Sequence, residues 1–135
     1  MRGFSKGIFL TAAFASLGAI AQAQWGPAGG PYRPESVSAL IDQVHMDLNR
    51  GYGVWNLSGG DRGRLNHAEH ELREFSQRWR NGRFDKGDLD DAIASIQHVL
   101  DNNHLTGRER DGIWRDVEQL RGLRAAYDRH EIGRW

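Results

Sequence analysis

The residues best spaced for chemistry are two histidines three apart, His67 and His70, with Glu74 one turn further on and Glu71 beside them. Helical side chains three and four apart share a side. Two imidazoles and a flanking carboxylate there would make an open zinc or copper site. Nothing nearby in the sequence supplies the group that usually orients a metal-bound imidazole from behind. The same helix carries Glu69–Arg73 and Glu74–Arg78 at i,i+4 spacing, the pattern of a solvated face. The spacing thus fits a metal site at His67, His70 and Glu74 and also an ordinary polar face. No other cofactor is indicated.

The acidic run NGRFDKGDLDD, residues 81–91, invites a calcium loop. Such a loop needs oxygen ligands at positions one, three and five before a glycine at six. Placing Gly87 at six puts Gly82, Phe84 and Lys86 at the ligand positions, so the motif fails. Acidic residues here are explained by the positive first turn of a helix. Paired carboxylates are plentiful elsewhere, and in so charged a helical chain they are expected to face solvent. The chain has no thiol and no Gly-rich phosphate loop, and no local pattern marks a serine or histidine as a nucleophile. The expectation is a protein that is not an enzyme.

Aromatic residues give a second kind of candidate. Tyr52 and Trp55 fall in the loop GYGVWN, and Trp114 lies about 120° from the apolar stripe of its helix at ~100° per residue. Exposed aromatics anchor protein partners, so Tyr52, Trp55 and Trp114 form a candidate partner-binding set. In the alternative arrangement Tyr52 and Trp55 plug the end of the domain and Trp114 packs against that loop.

Four helices must position these residues. The first is expected from Pro34 to Arg50, with Val37, Leu40, Ile41, Val44 and Leu48 on one face. The second opens at Ser58, capped by a Ser58/Asp61 pair, and carries Leu65, Ala68, Leu72, Phe75 and Trp79 as a narrow seam. The third follows a cap at Asp85, with Phe84 and Leu89 spaced as a hydrophobic staple and Leu89, Ala92, Ile93, Ile96 and Leu100 as its stripe. The fourth repeats the capping pair at Thr106/Glu109 and carries Ile113, Val117, Leu120, Leu123 and Tyr127.

The chain repeats itself. At an offset of 48, Leu57, Gly59, Arg62, Leu72 and Arg73 meet Leu105, Gly107, Arg110, Leu120 and Arg121; at 52, Val37, Ile41, Val44 and Leu48 meet Leu89, Ile93, Ile96 and Leu100. The unit is a helical hairpin used twice. One hairpin cannot bury its own apolar face, whereas two bury each other's. The fold class is therefore all-α: an antiparallel four-helix bundle of two similar hairpins. Duplication accounts for the repeat, and convergence on capping and heptad rules would place matches at the same positions.

The N-terminus reads as an export signal. Arg2 and Lys6 precede an apolar run from Gly7 to Ile20, followed by Ala21-Gln22-Ala23. Residues 1–23 are thus a signal peptide, 24–33 a Pro/Gly-rich flexible lead and 34–135 the helical domain. Cleavage leaves a chain without the two basic residues of the signal and with a net charge of −2. Such a charge offers no field to draw nucleic acid or an anionic membrane, and no stable membrane anchor is expected after cleavage. The chain lacks cysteine, so disulfides play no part. A periplasmic or secreted location follows.

The stretches LSGGDR, from Leu57, and LTGRER, from Leu105, resemble the L-T-x-x-Q motifs of small periplasmic helical chaperones of the Spy and CpxP kind. Asp61 and Glu109 stand where those proteins have glutamine. The resemblance implies export, an all-helical fold and an envelope-protective role, with a dimer as one form it allows. The resulting reading is a helical protein that binds a protein partner or a non-native client. Its alternatives are a metal-binding or sensing protein using His67 and His70, and a structural component of the envelope. The signal reading is checked by intact-mass measurement on envelope-fraction protein. The expected chain begins at Gln24, and a retained Met1 would contradict it.

Overall fold

The computed structural model describes residues 32–53 and 57–132. The expected signal peptide, most of the lead, Trp55 and Trp135 lie outside them. Four helices make up the described chain: α1 (Pro34–Gly51), α2 (Gly59–Arg80), α3 (Lys86–Asn102) and α4 (Gly107–Asp128). Within the described residues none is long and apolar enough to cross a membrane.

Local chemistry sets the helix ends. Pro34 opens α1, where its missing N–H has no helical partner to lose. Ser58 Oγ accepts from Asp61 N at 3.0 Å, and Asp85 Oδ1 accepts from Asp88 N at 2.9 Å. Thr106 and Glu109 close a full capping box, with each side chain accepting from the other residue's backbone N–H. At the far end of α2, Gly82 takes a φ of 79°, and this left-handed turn lets Arg83 N reach Arg78 O at 2.9 Å. His130 makes the same turn after α4 with a φ of 58°, and Glu131 N bonds back to Ala126 O.

The helices form a closed ring. Each packs against its sequence neighbour, and α1 also packs against α4. The most extensive interface joins α2 to α3, which belong to different repeats, and α1 with α2 is the least extensive. The expected stripes are the core: Val37, Leu40, Ile41, Val44 and Leu48 from α1, Leu65 through Trp79 from α2, Leu89, Ala92, Ile96 and Leu100 from α3, and Ile113, Val117, Leu120 and Leu123 from α4 are all buried. Val99 joins them, while Ile93 and Tyr127 are only half-buried.

The ends of the ring are sealed differently. Phe84, expected as a staple on Leu89, packs against the core and stacks flat on Tyr127 with ring centroids 4.4 Å apart. It also meets Phe75 and Trp79 edge-on. Edge and stacked geometries align the ring quadrupoles favourably, so the α2–α3 turn is held by aromatic contact with α4. Arg78, expected to pair with Glu74, instead reaches across this turn to Asp85 at 3.1 Å and Asp88 at 2.7 Å. Beside α1, Tyr32 N donates to Glu131 O at 2.6 Å, tying the two ends of the described chain together.

Leu72 and Leu120 occupy matched central positions and have no exposed surface. Replacing either with alanine removes buried methyl groups and leaves a cavity, a loss of about 2–5 kcal/mol. Denaturant titration should show this for Leu72→Ala and for Leu120→Ala. Unchanged midpoints in both would contradict the packing described.

Candidate functional site

The expected metal residues are distributed over separate surfaces. His67 lies 3.7 Å from Glu71 and lines a cleft toward α3 with Asp91 and His98. His70 lines a different cleft toward α1, with His45, Tyr52 and Arg73. Glu74 lies close enough to Asp88 to help raise that residue's pKa, after burial and the neighbouring Asp85. Among the described residues no group of three or more His, Asp or Glu side chains is arranged to hold a metal ion.

The aromatic residues also part company. Trp114 projects from α4 with 54% of its surface exposed. Tyr52 is half-buried against the core, and its hydroxyl donates to Asn66 Oδ1 of α2 at 2.5 Å. Burial raises the pKa of that hydroxyl, and the Glu69 carboxylate adds to the effect. Tyr52 therefore closes the groove between α1 and α2, whereas Trp114 stands on the outside of α4. Trp55 is not among the described residues.

Four carboxyl side chains, in three places, are buried where a charged helical chain is expected to turn them to solvent. Glu69, expected to pair with Arg73, is 8% exposed and meets His45 Nδ1 of α1 at 2.6 Å. Asp61, the partner of Ser58 in the LSGGDR cap, is 1% exposed. Its carboxylate reaches Arg64 at 2.7 Å and His104 Nδ1 at 3.2 Å, and its carbonyl accepts from Asn103 Nδ2 at 3.0 Å. Burial opposes the charge of Asp61, but the hydrogen bonds from His104, Arg64 and Ser58 outweigh it and lower its pKa. Asp61 thus pins the α3–α4 link to the start of α2. Glu109, its counterpart at the offset of 48, serves only its own helix end.

The third case is a pair. Asp47 of α1 and Asp116 of α4 are 8% and 2% exposed, and they meet on the floor of a cleft of about 950 Å³ between the two helices. Asp47 is well supplied with donors: Gln43 Nε2 lies 3.0 Å from its Oδ2, and Arg50 Nη1 lies 2.9 Å from its Oδ1. Asp116 is not: among the described residues no cation, amide or hydroxyl donates to its buried Oδ2. Burial, followed by the hydrogen bond and negative charge of Asp47, pushes the pKa of Asp116 up to about 9. Two carboxyl groups this close do not both ionise at neutral pH. Buried beside Asp47, Asp116 therefore keeps its proton at neutral pH.

Comparing the repeats shows that this pair is not a packing requirement. At the offsets of 52 and 48, Asp47 corresponds to Val99 and Asp116 to Ala68, and both of these are fully buried. Where α3 and α2 meet through apolar atoms, α1 and α4 meet through acids. Gly112 opens the cleft further, because a Cβ there would stand 3.8 Å from Asp47 Oδ2. In the sequence the pair was marked only by this mismatch between repeats.

Asp116 also dictates a pH dependence. Its folded pKa of about 9 lies above the ordinary value of 3.8, so the acid form favours the folded state. That stability is fully present below pH 3.8 and declines as pH rises toward 9. Asp116→Asn keeps the shape and needs no proton to be buried, and should stabilise the protein by about 1–3 kcal/mol at pH 8. Melting curves from pH 5 to 9 should show a wild-type decline that is flattened in the variant; equal slopes would contradict the proton on Asp116. No protein-family model, no curated protein and no solved structure matches the chain.

Proposed function

We propose that this chain is a non-enzymatic exported protein, an antiparallel bundle of two similar helical hairpins, which binds a protein partner or a non-native client through the outer face of α4. The observation that carries the reading is Trp114, 54% exposed above a core that is complete without it. A tryptophan left in water contributes little to folding, whereas at the centre of an interface it is among the strongest anchors. Arg110, Asp111, Glu118 and Arg121 stand three, four and seven positions away on the same helix, and all four are exposed. An aromatic centre with a charged rim is the usual anatomy of a transient protein interface. The export signature and the resemblance to periplasmic helical chaperones support an envelope location and a protective role. Tyr52 belongs to this reading only as a support for the α1–α2 groove.

The test is Trp114→Ala in the tagged protein, with cross-linking capture from the native envelope and a client-aggregation assay beside it. Truncating an interface anchor typically costs ~2 kcal/mol or more, over tenfold in affinity. Capture or aggregation suppression should fall by that factor while the melting temperature stays within about a degree, as for an exposed site. Unchanged capture and unchanged suppression would refute the role of Trp114 and favour a structural envelope component. Saturable zinc binding lost in a His67→Ala/His70→Ala variant would favour the metal-binding alternative instead.

A further inference from the structure

The cleft between α1 and α4 carries an inference independent of Trp114. Its floor is the Asp47/Asp116 pair, and its wall includes Arg108 and Arg115. Neither arginine forms an ion pair within the described residues, whereas Arg50 is engaged by Asp47. Acceptors therefore lie deep in the cleft, and unneutralised cations stand on its wall. The matching positions in the other repeat are the fully buried Val99 and Ala68, so packing alone does not call for acids here. Buried polar groups left partly unsatisfied lower stability, and such groups concentrate at binding sites.

We propose that the α1–α4 cleft is a binding site for a small zwitterion, whose ammonium group sits between Asp47 and Asp116 and whose carboxylate meets Arg108 and Arg115. Among the described residues no cation, amide or hydroxyl donates to the buried Oδ2 of Asp116, and an ammonium group supplies up to three donors. A divalent metal fits less well: the floor offers two carboxylates, one of them already held by Arg50 and Gln43. Gly112 leaves the space that the ligand occupies.

Binding on these terms must release a proton. In the empty cleft Asp116 is protonated, and a bound ammonium stabilises its ionised form. The carboxyl O–H bond breaks, the proton leaves to solvent, and the ammonium keeps its own three hydrogens. The charged groups around the pair are Asp47 and Arg50 from α1, and Arg108, Glu109 and Arg115 from α4. Arg115 and Arg50 both favour the ionised Asp116, but less strongly than burial and Asp47 oppose it. Affinity should therefore rise by about tenfold per pH unit between pH 6 and 8, one proton being released for each ligand bound.

The experiment is calorimetry on the purified protein with glycine, 4-aminobutanoate and 6-aminohexanoate, and with butylamine and butanoate as single-charge controls. At least one amino acid should bind saturably and at least tenfold tighter than either control. Repeating the titration in buffers of different ionisation enthalpy should show release of one proton. Asp116→Asn should weaken binding at least tenfold without loss of fold. Gly112→Leu, which keeps both carboxylates and fills the cleft, should weaken it similarly. Absence of saturable binding across the series would overturn the proposal. Equal affinity for butylamine, binding without proton release, or indifference to Asp116→Asn would overturn it too.

Discussion

Each of the four helices has one apolar stripe, and no pair of them can cover two stripes completely. Burying the stripes therefore requires the ring to close, with α1 meeting α4. Everything else in the structure depends on that closure. The apolar side chains of α2 and α3 interlock along the most extensive interface, and α1 and α4 complete the enclosure from either side. Leu40, Leu72, Ile96 and Leu120, one from each helix, are all essentially without exposed surface. Because the core is continuous, the loss of packing in one helix is felt by the other three.

Charge is used in two different ways around this core. At the helix ends it joins elements. Asp61 holds the α3–α4 link, and Arg78 spans the α2–α3 turn. Arg124 reaches Asp90 of α3 at 2.8 Å and Asp128 of its own helix at 2.6 Å. In each of these sites a carboxylate finds at least one cation or backbone donor. Asp47 and Asp116 break that pattern. There a second carboxyl group takes the place of a cation, and among the described residues no cation, amide or hydroxyl donates to Asp116 Oδ2. The energetic reason to treat the α1–α4 cleft as functional is that two carboxyl groups are buried against each other there, whereas a bundle selected for stability alone would repeat Val99 and Ala68.

The exposed tryptophan and the acidic cleft use separate parts of α4. Trp114 lies on the outer surface, while Gly112, Asp116 and Gln119 face α1. Position 114 is two residues from both 112 and 116, about 200° around the helix, so one helix presents two unlike surfaces. A partner held on the outside and a small ligand held on the inside would both act on α4. The aromatic stack of Phe84 on Tyr127 anchors the far end of that helix.

Much of this was legible in the sequence, and physical range explains which parts. Ser58, Asp85 and Thr106 act on backbone groups three residues away, so their capping follows from local sequence. The stripes from Val37 to Leu48 and from Leu65 to Trp79 follow from the helical period, and they are buried as that period requires. Residues at the border of a stripe obey no such rule. Asp47 sits next to Leu48, Glu69 next to Ala68 and Asp116 next to Val117, each about 100° from its neighbour. Whether such a residue meets water or another helix depends on where that helix lies. The same holds for Phe84, whose stacking on Tyr127 depends on where α4 lies. By itself the sequence determined the helices, their caps and their apolar faces, because those are set within a few residues. Only the tertiary structure decided which carboxylates are buried together, because that depends on the distance between helices far apart in the chain.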